Sequence, residues 1–403
     1  MALDLSTYPA YLNSLGLKAP VNARPGRMIP GPPAPVLDIA LHLGLGPILF
    51  DTPRTRAIVE NVGLNPDLIR VAGRQLRARD MWLPVMENLA APNIADAKKL
   101  AARGDRQRAI EKIRAALLIL FVGLCGDGYY FYTPMARRAN IVRHMRHLHA
   151  LLRRLSGART RRLAVRYPGG KTAGLLRLPA RRQVGRRRPL PALLAFHPLG
   201  SDKDNFDWFL EHFREAGYAT FCIDMPAHGE NFFGPRLRPD AEDVGAAALE
   251  VLALQPGIDP QRLGVMGGSL GAYFAHRTAA VSPRVKACLA YASPFDLSDK
   301  AEDQVPGVKE CFSWTVGAER TEDILAIARQ FNLREAAKQE RCPVCIIHGT
   351  QDHLCDFSAS YEIASRAPAP VTVIPLEGVD HEAAYPSTVE LAHPGIEWLN
   401  QTL

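Results

Sequence analysis

The stretch that decides the fold runs from Leu263 to Val281 and reads LGVMGGSLGAYFAHRTAAV. Its first four residues form an apolar run typical of a buried strand, and the residues that follow Ser269 are typical of a helix. Between them stands the motif G-x-S-x-G, in the strand–turn–helix context that this motif requires. We therefore predict that Ser269 is a nucleophile; the alternative is a glycine-rich structural turn.

The two outer glycines of the motif have a steric role. A strand that turns sharply into a helix leaves no room for bulk two residues before and two residues after the serine, and Gly267 and Gly271 fill these positions. Ser269 then lies at a helix N-terminus, where the positive end of the helix dipole favours developing negative charge.

A serine hydroxyl needs a base, and the base needs a third group to orient it. On a fold of this kind the chain order is serine, acid, histidine. Asp352 follows an apolar strand and is the predicted acid, with Asp356 as its rival. His381 follows the last strand and is the predicted base, because His353 lies too close to Asp352 in sequence and His393 lies in the last helix.

The oxyanion hole is expected to use two backbone N–H groups. One belongs to Leu270, the residue after the nucleophile, and the other comes from the loop after an earlier strand. In that loop Pro198 has no N–H, so Leu199 is the predicted donor and Gly200 the second choice. His197 is interpreted as a residue that holds the loop by hydrogen bonds.

Strands and helices alternate in the second half of the chain, which predicts an α/β fold with a mostly parallel sheet covered by helices on both faces. The predicted strands are Arg161–Tyr167, Ala173–Leu178, Ala192–His197, Ala219–Asp224, Leu263–Met266, Val285–Tyr291, Pro343–His348 and Val371–Pro375. The predicted helices are Asn205–Ala216, Asp240–Leu254, Leu270–Val281, Glu362–Ala367 and Thr388–Leu399. The alternation breaks after the sixth strand, which predicts a cap insertion at about 297–340, over the strand ends where ligands bind.

The first part of the chain has a different pattern. Residues 1–55 are rich in Pro and Gly and are expected to form an extended arm. Residues 56–157 have helical periodicity, with a hairpin at Gly104-Asp105, an interruption at Gly126 and Gly128, and a basic helix over Ala139–Leu155. Residues 158–403 are predicted to form the catalytic domain.

These motifs resemble the α/β-hydrolase superfamily over residues 160–403. The residues that carry the resemblance are His197–Gly200, Asp224–Glu230, the Ser269 elbow, Asp352 and His381. The long helical N-terminal region makes the chain similar to the subgroup with dihydroxypseudooxynicotine hydrolase and the fungal hydrolases that shorten heptaketide chains. The resemblance implies that the N-terminal region and the cap enclose the site, and that the protein is a homodimer.

The sequence departs from the superfamily pattern at two places. Ala227 and Asn231 stand where Gly and Ser are usual in a structural turn, and Leu199–Asp204 is similar but not identical to the subgroup's loop. The resemblance implies hydrolysis of an ester, a thioester or a carbon–carbon bond beside a ketone, on an aromatic or polyketide-like small molecule.

Two rival functions stay open. The same triad would serve an acyltransferase or cyclase in which a nucleophile other than water completes the reaction, and a hydrolase scaffold can serve as a non-catalytic binding module. For carbon–carbon cleavage an additional acid from the cap would help. The candidate acids are Asp299, Glu302, Asp303, Glu310, Glu319, Glu322 and Asp323.

The net charge of +8 comes from one segment, because Arg137–Arg188 has 17 Lys and Arg residues and no acid. This pattern favours a solvated basic face. The alternative is a docking patch for an acidic partner, such as a carrier protein or an anionic substrate. No nucleic-acid reader motif is present, so no nucleic-acid partner is predicted.

Other signals predict a cytoplasmic protein without cofactors. The longest apolar run is too short to span a bilayer, no secretory signal is recognised, and seven cysteines at irregular spacing indicate reduced thiols. No phosphate-binding loop or dinucleotide fingerprint occurs. No metal is predicted either: Cys342-Pro-Val-Cys345 runs into a strand, and His144, His147 and His149 are interpreted as part of a basic face.

Overall fold

The structure is a computed structural model and describes residues 39–51, 56, 59, 64–130, 135–180, 189–299, 301, 306–320, 323–381 and 388–403. Most of the predicted Pro- and Gly-rich arm lies outside these residues. Among the described helices, none combines the length and the apolar character needed to cross a bilayer.

The described N-terminal part is helical over more of the chain than its periodicity predicts, because Gly46–Phe50, within the stretch expected to be an extended arm, is also a helix. Its helices are α1 (Gly46–Phe50), α2 (Asp67–Gln75), α3 (Trp82–Ala102), α4 (Arg106–Tyr130) and α5 (Met135–Ser156). The predicted hairpin is confirmed, because α3 and α4 meet at Gly104, whose φ of +81° suits a glycine. The predicted interruption at Gly126 and Gly128 is wrong. Each glycine costs a helix only ~1 kcal/mol, which a long packed helix can absorb.

This helical region has an apolar core of its own. Trp82, Met86, Ile113 and Met145 are almost completely buried in it. Helices α3 and α4 approach closely at Gly123, where a Cβ would lie 3.0 Å from the Cβ of Met86. The indole Nε1 of Trp82 donates a hydrogen bond to the Gly123 carbonyl oxygen at 2.8 Å. The helices are thus locked by packing and by a buried hydrogen bond.

The second part of the chain forms one sheet of eight strands in the order β1-β2-β4-β3-β5-β6-β7-β8. All eight predicted strands occur. They are β1 (Thr160–Tyr167), β2 (Gly170–Arg177), β3 (Leu190–Phe196), β4 (Ala219–Ile223), β5 (Ile258–Gly268), β6 (Val285–Tyr291), β7 (Val344–Gly349) and β8 (Val371–Leu376). β2 pairs antiparallel with β1 and β4, and the remaining pairs are parallel.

Helices connect the strands and cover the sheet. They are α6 (Lys203–Phe206), α7 (Glu211–Glu215), α8 (Glu242–Ala253), α9 (Leu270–Val281), α10 (Pro306–Val316), α11 (Asp323–Ala328), α12 (Ser358–Ala364) and α13 (Val389–Thr402). The single helix predicted over Asn205–Ala216 is wrong, because a 3₁₀ turn at Asp207–Leu210 separates α6 from α7. Short 3₁₀ turns of this kind are frequent at helix ends.

Both faces of the sheet are buried. Along β3, Leu194 and Phe196 pack into one apolar cluster, whereas Leu193 and Ala195 pack into the cluster on the other face. The insertion after β6 contains α10 and α11, and α10 packs against α4 of the helical region. The insertion and the helical region are therefore in contact with each other. The carboxyl ends of the parallel strands form the edge where an open α/β sheet binds ligands.

Candidate active site

Ser269 lies in a strained turn between β5 and α9. Its φ of +52° and ψ of −121° are unusual for a residue with a side chain. Its backbone N–H donates a hydrogen bond to the carbonyl oxygen of Tyr291 on β6 at 2.9 Å, which fixes the turn to the sheet. A non-glycine residue in such a conformation costs ~1–3 kcal/mol and persists only where the surroundings enforce it.

The two outer glycines of the elbow are sterically required. A Cβ on Gly267 would lie 2.2 Å from the carbonyl oxygen of Gly271. A Cβ on Gly271 would lie 2.1 Å from the carbonyl oxygen of Phe196, at the end of β3. Neither contact is possible for real atoms, so any side chain here would displace the backbone that presents Ser269.

Asp352 is a buried carboxylate in the loop after β7. Its Oδ1 accepts hydrogen bonds from the backbone N–H groups of Leu354 and Cys355, at 2.8 and 2.7 Å. Its Oδ2 accepts from Nδ1 of His381 at 2.6 Å. Burial alone would raise the pKa of Asp352, but His381 and the other donors lower it well below its usual range. The carboxylate is therefore held ionised and in one orientation.

His381 lies in the loop after β8 and is buried against Asp352. Burial alone would lower the pKa of His381, but the Asp352 carboxylate raises it above the ordinary value of 6.5. Because Nδ1 donates to the carboxylate, Nε2 is the nitrogen that can accept a proton. The structure thus joins the predicted acid and the predicted base directly, and it places Ser269 at the carboxyl end of the same sheet.

Sequence reasoning missed a second histidine on the same carboxylate. Nε2 of His348, the penultimate residue of β7, lies 3.1 Å from Oδ2 of Asp352 and 3.1 Å from the carbonyl oxygen of Cys355. Its Nδ1 lies 2.8 Å from the Ser360 hydroxyl. With Ser360 donating to Nδ1, the Nε2–H is free to donate to Asp352. The sequence feature that could have indicated this residue is a histidine four residues before the acid, at the end of an apolar strand.

The rivals of the predicted acid and base have other roles. Nδ1 of His353 lies 2.5 Å from Oδ1 of Asp380, and the same oxygen accepts from the backbone N–H of His381 at 2.8 Å. This pair ties the loop after β8 to the loop after β7. Oδ1 of Asp356 accepts a hydrogen bond from the Ser358 N–H at 3.0 Å, at the start of α12, and His393 is exposed on α13.

The loop after β3 is anchored by His197, as its position predicts. Nδ1 of His197 lies 2.9 Å from the Pro198 carbonyl oxygen, and Nε2 accepts from the Met225 N–H at 3.1 Å. Burial lowers the pKa of His197 to about 4. The ring is therefore neutral and fixes the loop that carries Leu199, while Leu270 begins α9 directly after Ser269.

Gly200, the next residue of this loop, is where three parts of the chain meet. Its φ is +70°, and a Cβ there would lie 3.0 Å from Sγ of Cys311 on α10 and 3.5 Å from Nη2 of Arg138 on α5. Arg138 is itself buried and donates to the Leu124 carbonyl oxygen at 3.2 Å. The cap and the helical region therefore both contact the loop that is predicted to supply an oxyanion donor.

A buried group of charges lies behind the same loop. The ammonium of Lys203 lies 2.8 Å from Asp224, 2.8 Å from Glu230 and 3.2 Å from Asp204. Burial alone would lower the pKa of Lys203, but the carboxylates of Asp224 and Asp204 raise it above its usual value. Arg153 on α5 contacts Asp204 at 2.7 Å. We call these five residues the Lys203 network.

Part of the predicted basic face is therefore buried. His149 does not lie on a solvated face: its Nε2 is 3.2 Å from Oδ1 of Asn205, and burial lowers its pKa. Arg146 contacts Asp204 and Glu230. Acids that are distant in the sequence thus neutralise several of the basic residues. The exposed Arg and Lys residues are Arg137, Arg143, Arg154, Arg161, Arg162, Arg166 and Lys171.

The structure describes four of the seven candidate cap acids. Asp299, Glu319 and Asp323 are exposed, and Glu310 is half-buried. The candidates at positions 302, 303 and 322 lie outside the described residues.

Two groups of described side chains have donor atoms close enough to bind one metal ion. The first is Asp352, Cys355 and His381, within the candidate site. The second is His276, Cys288 and Glu340, which is completely buried. The first group already has the short Asp352–His381 hydrogen bond that orients an imidazole for proton transfer.

Comparison with known proteins finds sequence similarity to several hydrolases. A family model described as the prolyl oligopeptidase family matches residues 205–385. The 2,6-dihydropseudooxynicotine hydrolase of Paenarthrobacter nicotinovorans is 29% identical over 167 residues, which cover 41% of this chain and 45% of that protein. An alpha/beta hydrolase of Aspergillus fumigatus is 28% identical over 282 residues, covering 64% and 60% of the two chains.

A third relative, the 20-hydroxy-prefusarin hydrolase of Gibberella moniliformis, is 38% identical over 96 residues, 22% of this chain and 23% of that protein. Each alignment thus spans less than two thirds of the relative.

Solved structures extend the likeness over most of the chain. The crystal structure of 2,6-dihydroxy-pseudo-oxynicotine hydrolase has a TM-score of 0.74 and 22% identity, covering 86% of this chain and 95% of that one. The structure of AbyA5 has a TM-score of 0.57 and 17% identity, covering 78% and 92%. The chain therefore has the α/β-hydrolase fold, and it resembles the subgroup of hydrolases that contains 2,6-dihydropseudooxynicotine hydrolase and related fungal proteins.

Proposed function

We propose that this protein is a serine hydrolase in which Ser269, Asp352 and His381 act as nucleophile, acid and base. The observation that carries the proposal is the strained φ of +52° at Ser269, enforced by two glycines that admit no side chain. Strain of this kind is concentrated at functional sites. The His381–Asp352 hydrogen bond of 2.6 Å supports the assignment of the base.

The reaction follows from the chemistry of these groups. Nε2 of His381 takes the proton of the Ser269 hydroxyl while Oγ attacks a substrate carbonyl carbon, and Asp352 stabilises the imidazolium that forms. His381 then gives this proton to the leaving group as the bond to the carbonyl carbon breaks. Water, deprotonated by His381, attacks the acyl-enzyme and releases an acid, which restores Ser269.

The oxyanion of each tetrahedral intermediate is assigned to the backbone N–H groups of Leu270 and Leu199. The N–H of Leu270 lies at the N-terminus of α9, where the helix dipole also stabilises the negative charge of the oxyanion. Leu199 depends on the loop that His197 anchors to Met225. Donors that are fixed before the reaction require no reorganisation as charge develops, so this arrangement contributes to lowering the barrier.

For the substrate we propose an aromatic or polyketide-like small molecule with an ester, a thioester or a carbon–carbon bond beside a ketone. Support comes from relatives named as hydrolases of dihydropseudooxynicotine and of 20-hydroxy-prefusarin. The contacts of Gly200 with Arg138 and Cys311 support a site enclosed by the helical region and the cap. The homodimer, the cytoplasmic location and a carrier-bound substrate stay predictions.

The test of the nucleophile combines labelling with activity. A fluorophosphonate probe should label the wild-type chain at Ser269, and Ser269→Ala should lose labelling and about 10⁶-fold in kcat on an activated ester. Ser282→Ala, at the far end of α9, is the matched control and should behave as the wild type. Labelling at another residue, or turnover by Ser269→Ala near the wild-type rate, would overturn the assignment.

Product analysis tests the last step of the cycle. Hydrolysis in H₂¹⁸O should place one labelled oxygen in the released acid. An ester or a cyclic product formed instead would show that an alcohol or an internal nucleophile replaces water, and that the protein is an acyltransferase or cyclase.

A further inference from the structure

A group of metal-binding side chains lies beneath the nucleophile helix and has no part in the proposed reaction. His276 lies on α9, seven residues after Ser269, Cys288 lies on β6, and Glu340 lies just before β7. Their donor atoms are all within 4.8 Å of one another, and all three residues have 0% exposure. We propose that His276, Cys288 and Glu340 form a structural zinc site that ties α9 to β6 and β7.

The distances are close to those of a metal site. Nδ1 of His276 lies 2.7 Å from Oε1 of Glu340 and 4.0 Å from Sγ of Cys288. Zinc binds nitrogen and oxygen ligands at ~2.0–2.2 Å and sulfur at ~2.3 Å, in a tetrahedral arrangement. An ion among these atoms therefore requires that the imidazole and the carboxylate separate slightly and that the thiol move inward.

Without a ligand the group leaves a carboxylate oxygen unsatisfied. Oε2 of Glu340 is buried and has no hydrogen-bond partner among the described residues. A buried polar atom without a partner costs ~1–3 kcal/mol, more if it is charged. Oε2 belongs to the same carboxylate whose Oε1 is hydrogen-bonded to His276. A cation bound between these side chains would therefore give Oε2 a partner.

Cys342 lies near the group but is not one of its three ligands. It packs in the same apolar cluster as Cys288, whereas Cys345, the other cysteine of the C-x-x-C motif, packs on the opposite face of the sheet. Burial and, to a smaller extent, the nearby Glu340 carboxylate raise the pKa of Cys342 to about 12. Cys342 of the C-x-x-C motif therefore lies on the same face of the sheet as the group, and Cys345 lies on the opposite face.

The donor set selects the metal. Thiolate and imidazole ligands favour zinc over magnesium or calcium, which prefer oxygen ligands. On binding, the thiol proton of Cys288 passes to solvent, and the neutral imidazole keeps its proton on Nε2 while Nδ1 binds the ion. The ion is not redox-active and takes no part in acyl transfer, so its role is to stabilise the fold.

Metal analysis of the purified full-length chain tests the site directly. Protein expressed with added zinc, freed of any affinity tag and dialysed, should retain one zinc per chain, and its removal by a chelator should lower Tm by several degrees. Cobalt substitution should give the near-ultraviolet thiolate-to-cobalt absorption. This readout uses the wild-type chain and does not depend on the folding of a variant.

Matched variants locate the ion. Cys288→Ser should lose the cobalt absorption and the retained zinc. Cys345→Ser, on the other face of the sheet, and Cys355→Ser, in the candidate active site, should keep both. If the wild type retains no zinc and shows no cobalt absorption, or if Cys355→Ser abolishes them instead, the proposal is overturned and His276–Glu340 is only a buried hydrogen-bonded pair.

Discussion

The helical region before β1 and the sheet region after it are stabilised in different ways. Each has its own apolar core, and the core around Trp82 in the helical region is separate from the clusters on the two faces of the sheet. Two of the contacts between the regions involve Phe121 and Arg153. The ring of Phe121 lies 6.1 Å from that of Phe209, and within the Lys203 network Arg153 forms an ion pair with Asp204.

This difference indicates how the two regions share the proposed function. The residues assigned to the chemistry follow β5, β7 and β8, so the sheet region supplies the reacting groups. The helical region contacts the loop after β3 through Arg138, and it contacts α6, which follows that loop, through Arg153. Buried charge pairs fix geometry but contribute little net stability. We infer that the helical region orients this loop more than it stabilises the sheet.

The largest expected effect is on the chemistry of the sheet region. Asp352→Asn should lower kcat by about 10⁴-fold, because the imidazole loses its orienting anion. The low-pH limb of kcat/KM should also move to lower pH. Asp352 raises the pKa of His381, so its removal lowers this pKa, and the base becomes neutral at lower pH. The measurement is a pH–rate profile with an activated ester.

Asp356→Asn is the matched control, because this carboxylate accepts hydrogen bonds from the Ser358 N–H and hydroxyl at the start of α12. It should leave both kcat and the pH limb near the wild-type values. If Asp356→Asn gives the large loss and Asp352→Asn does not, the acid has been assigned to the wrong residue.

The next effect is on the Lys203 network. Lys203→Met removes a cation that contacts three carboxylates, and loss of one partner of a buried pair costs ~3–5 kcal/mol in the free energy of unfolding. The deficit should be smaller at pH 5 than at pH 8, because carboxylates without a cation protonate more easily. Urea unfolding at both pH values measures this.

The exposed Lys338, paired with Glu335 on the surface, gives the control variant Lys338→Met, which should change stability by less than ~1 kcal/mol. Equal effects of the two substitutions would show that the network does not stabilise the buried carboxylates. A loss of stability that does not depend on pH would contradict the electrostatic explanation.

Local patterns were enough to predict much of the fold. The apolar strands, the G-x-S-x-G turn and the hairpin at Gly104 each depend on neighbours in the sequence, so period and turn chemistry determine them. The Lys203 network could not be predicted in this way, because Arg153 and Asp204 are 51 residues apart and meet only in the folded chain. For the same reason His149 looked like a surface residue when only the composition of its helix was considered.

The candidate site, like the fold, could be predicted from the sequence only in part. Ser269 and His381 stand at strand ends in the order that the fold requires, so their placement could be predicted. His348 could not be assigned, because its role depends on Ser360 and on which oxygen of Asp352 it contacts. Side-chain direction at the end of a strand is set by packing and hydrogen bonding, which the sequence does not display.

A smaller effect is expected for a substitution that destabilises the helical region and leaves the sheet region unchanged. Gly123→Leu places a side chain where Cβ alone would lie 3.0 Å from Met86, and overpacking of this kind costs ~1–3 kcal/mol. Hydrogen exchange read by mass spectrometry should speed up in α3 and α4 and change little in β3–β7. Ala150→Leu, on the exposed face of α5, is the control. Equal acceleration in the sheet would show that the regions unfold as one unit.

The smallest effect compares two arginines that contact acids of the Lys203 network. Arg153, on α5, is 16% exposed, and Arg162, on β1, is 60% exposed. Arg162→Gln should cost less than ~1 kcal/mol in the free energy of unfolding, and salt should remove the effect, because exposed ion pairs are weak and screened. Arg153→Gln should cost ~1.5–3 kcal/mol at any ionic strength, since a buried hydrogen bond to a charged group is lost. Urea unfolding at low and high salt distinguishes them. Equal costs with equal salt dependence would mean that the contact between the regions is no different from a surface ion pair.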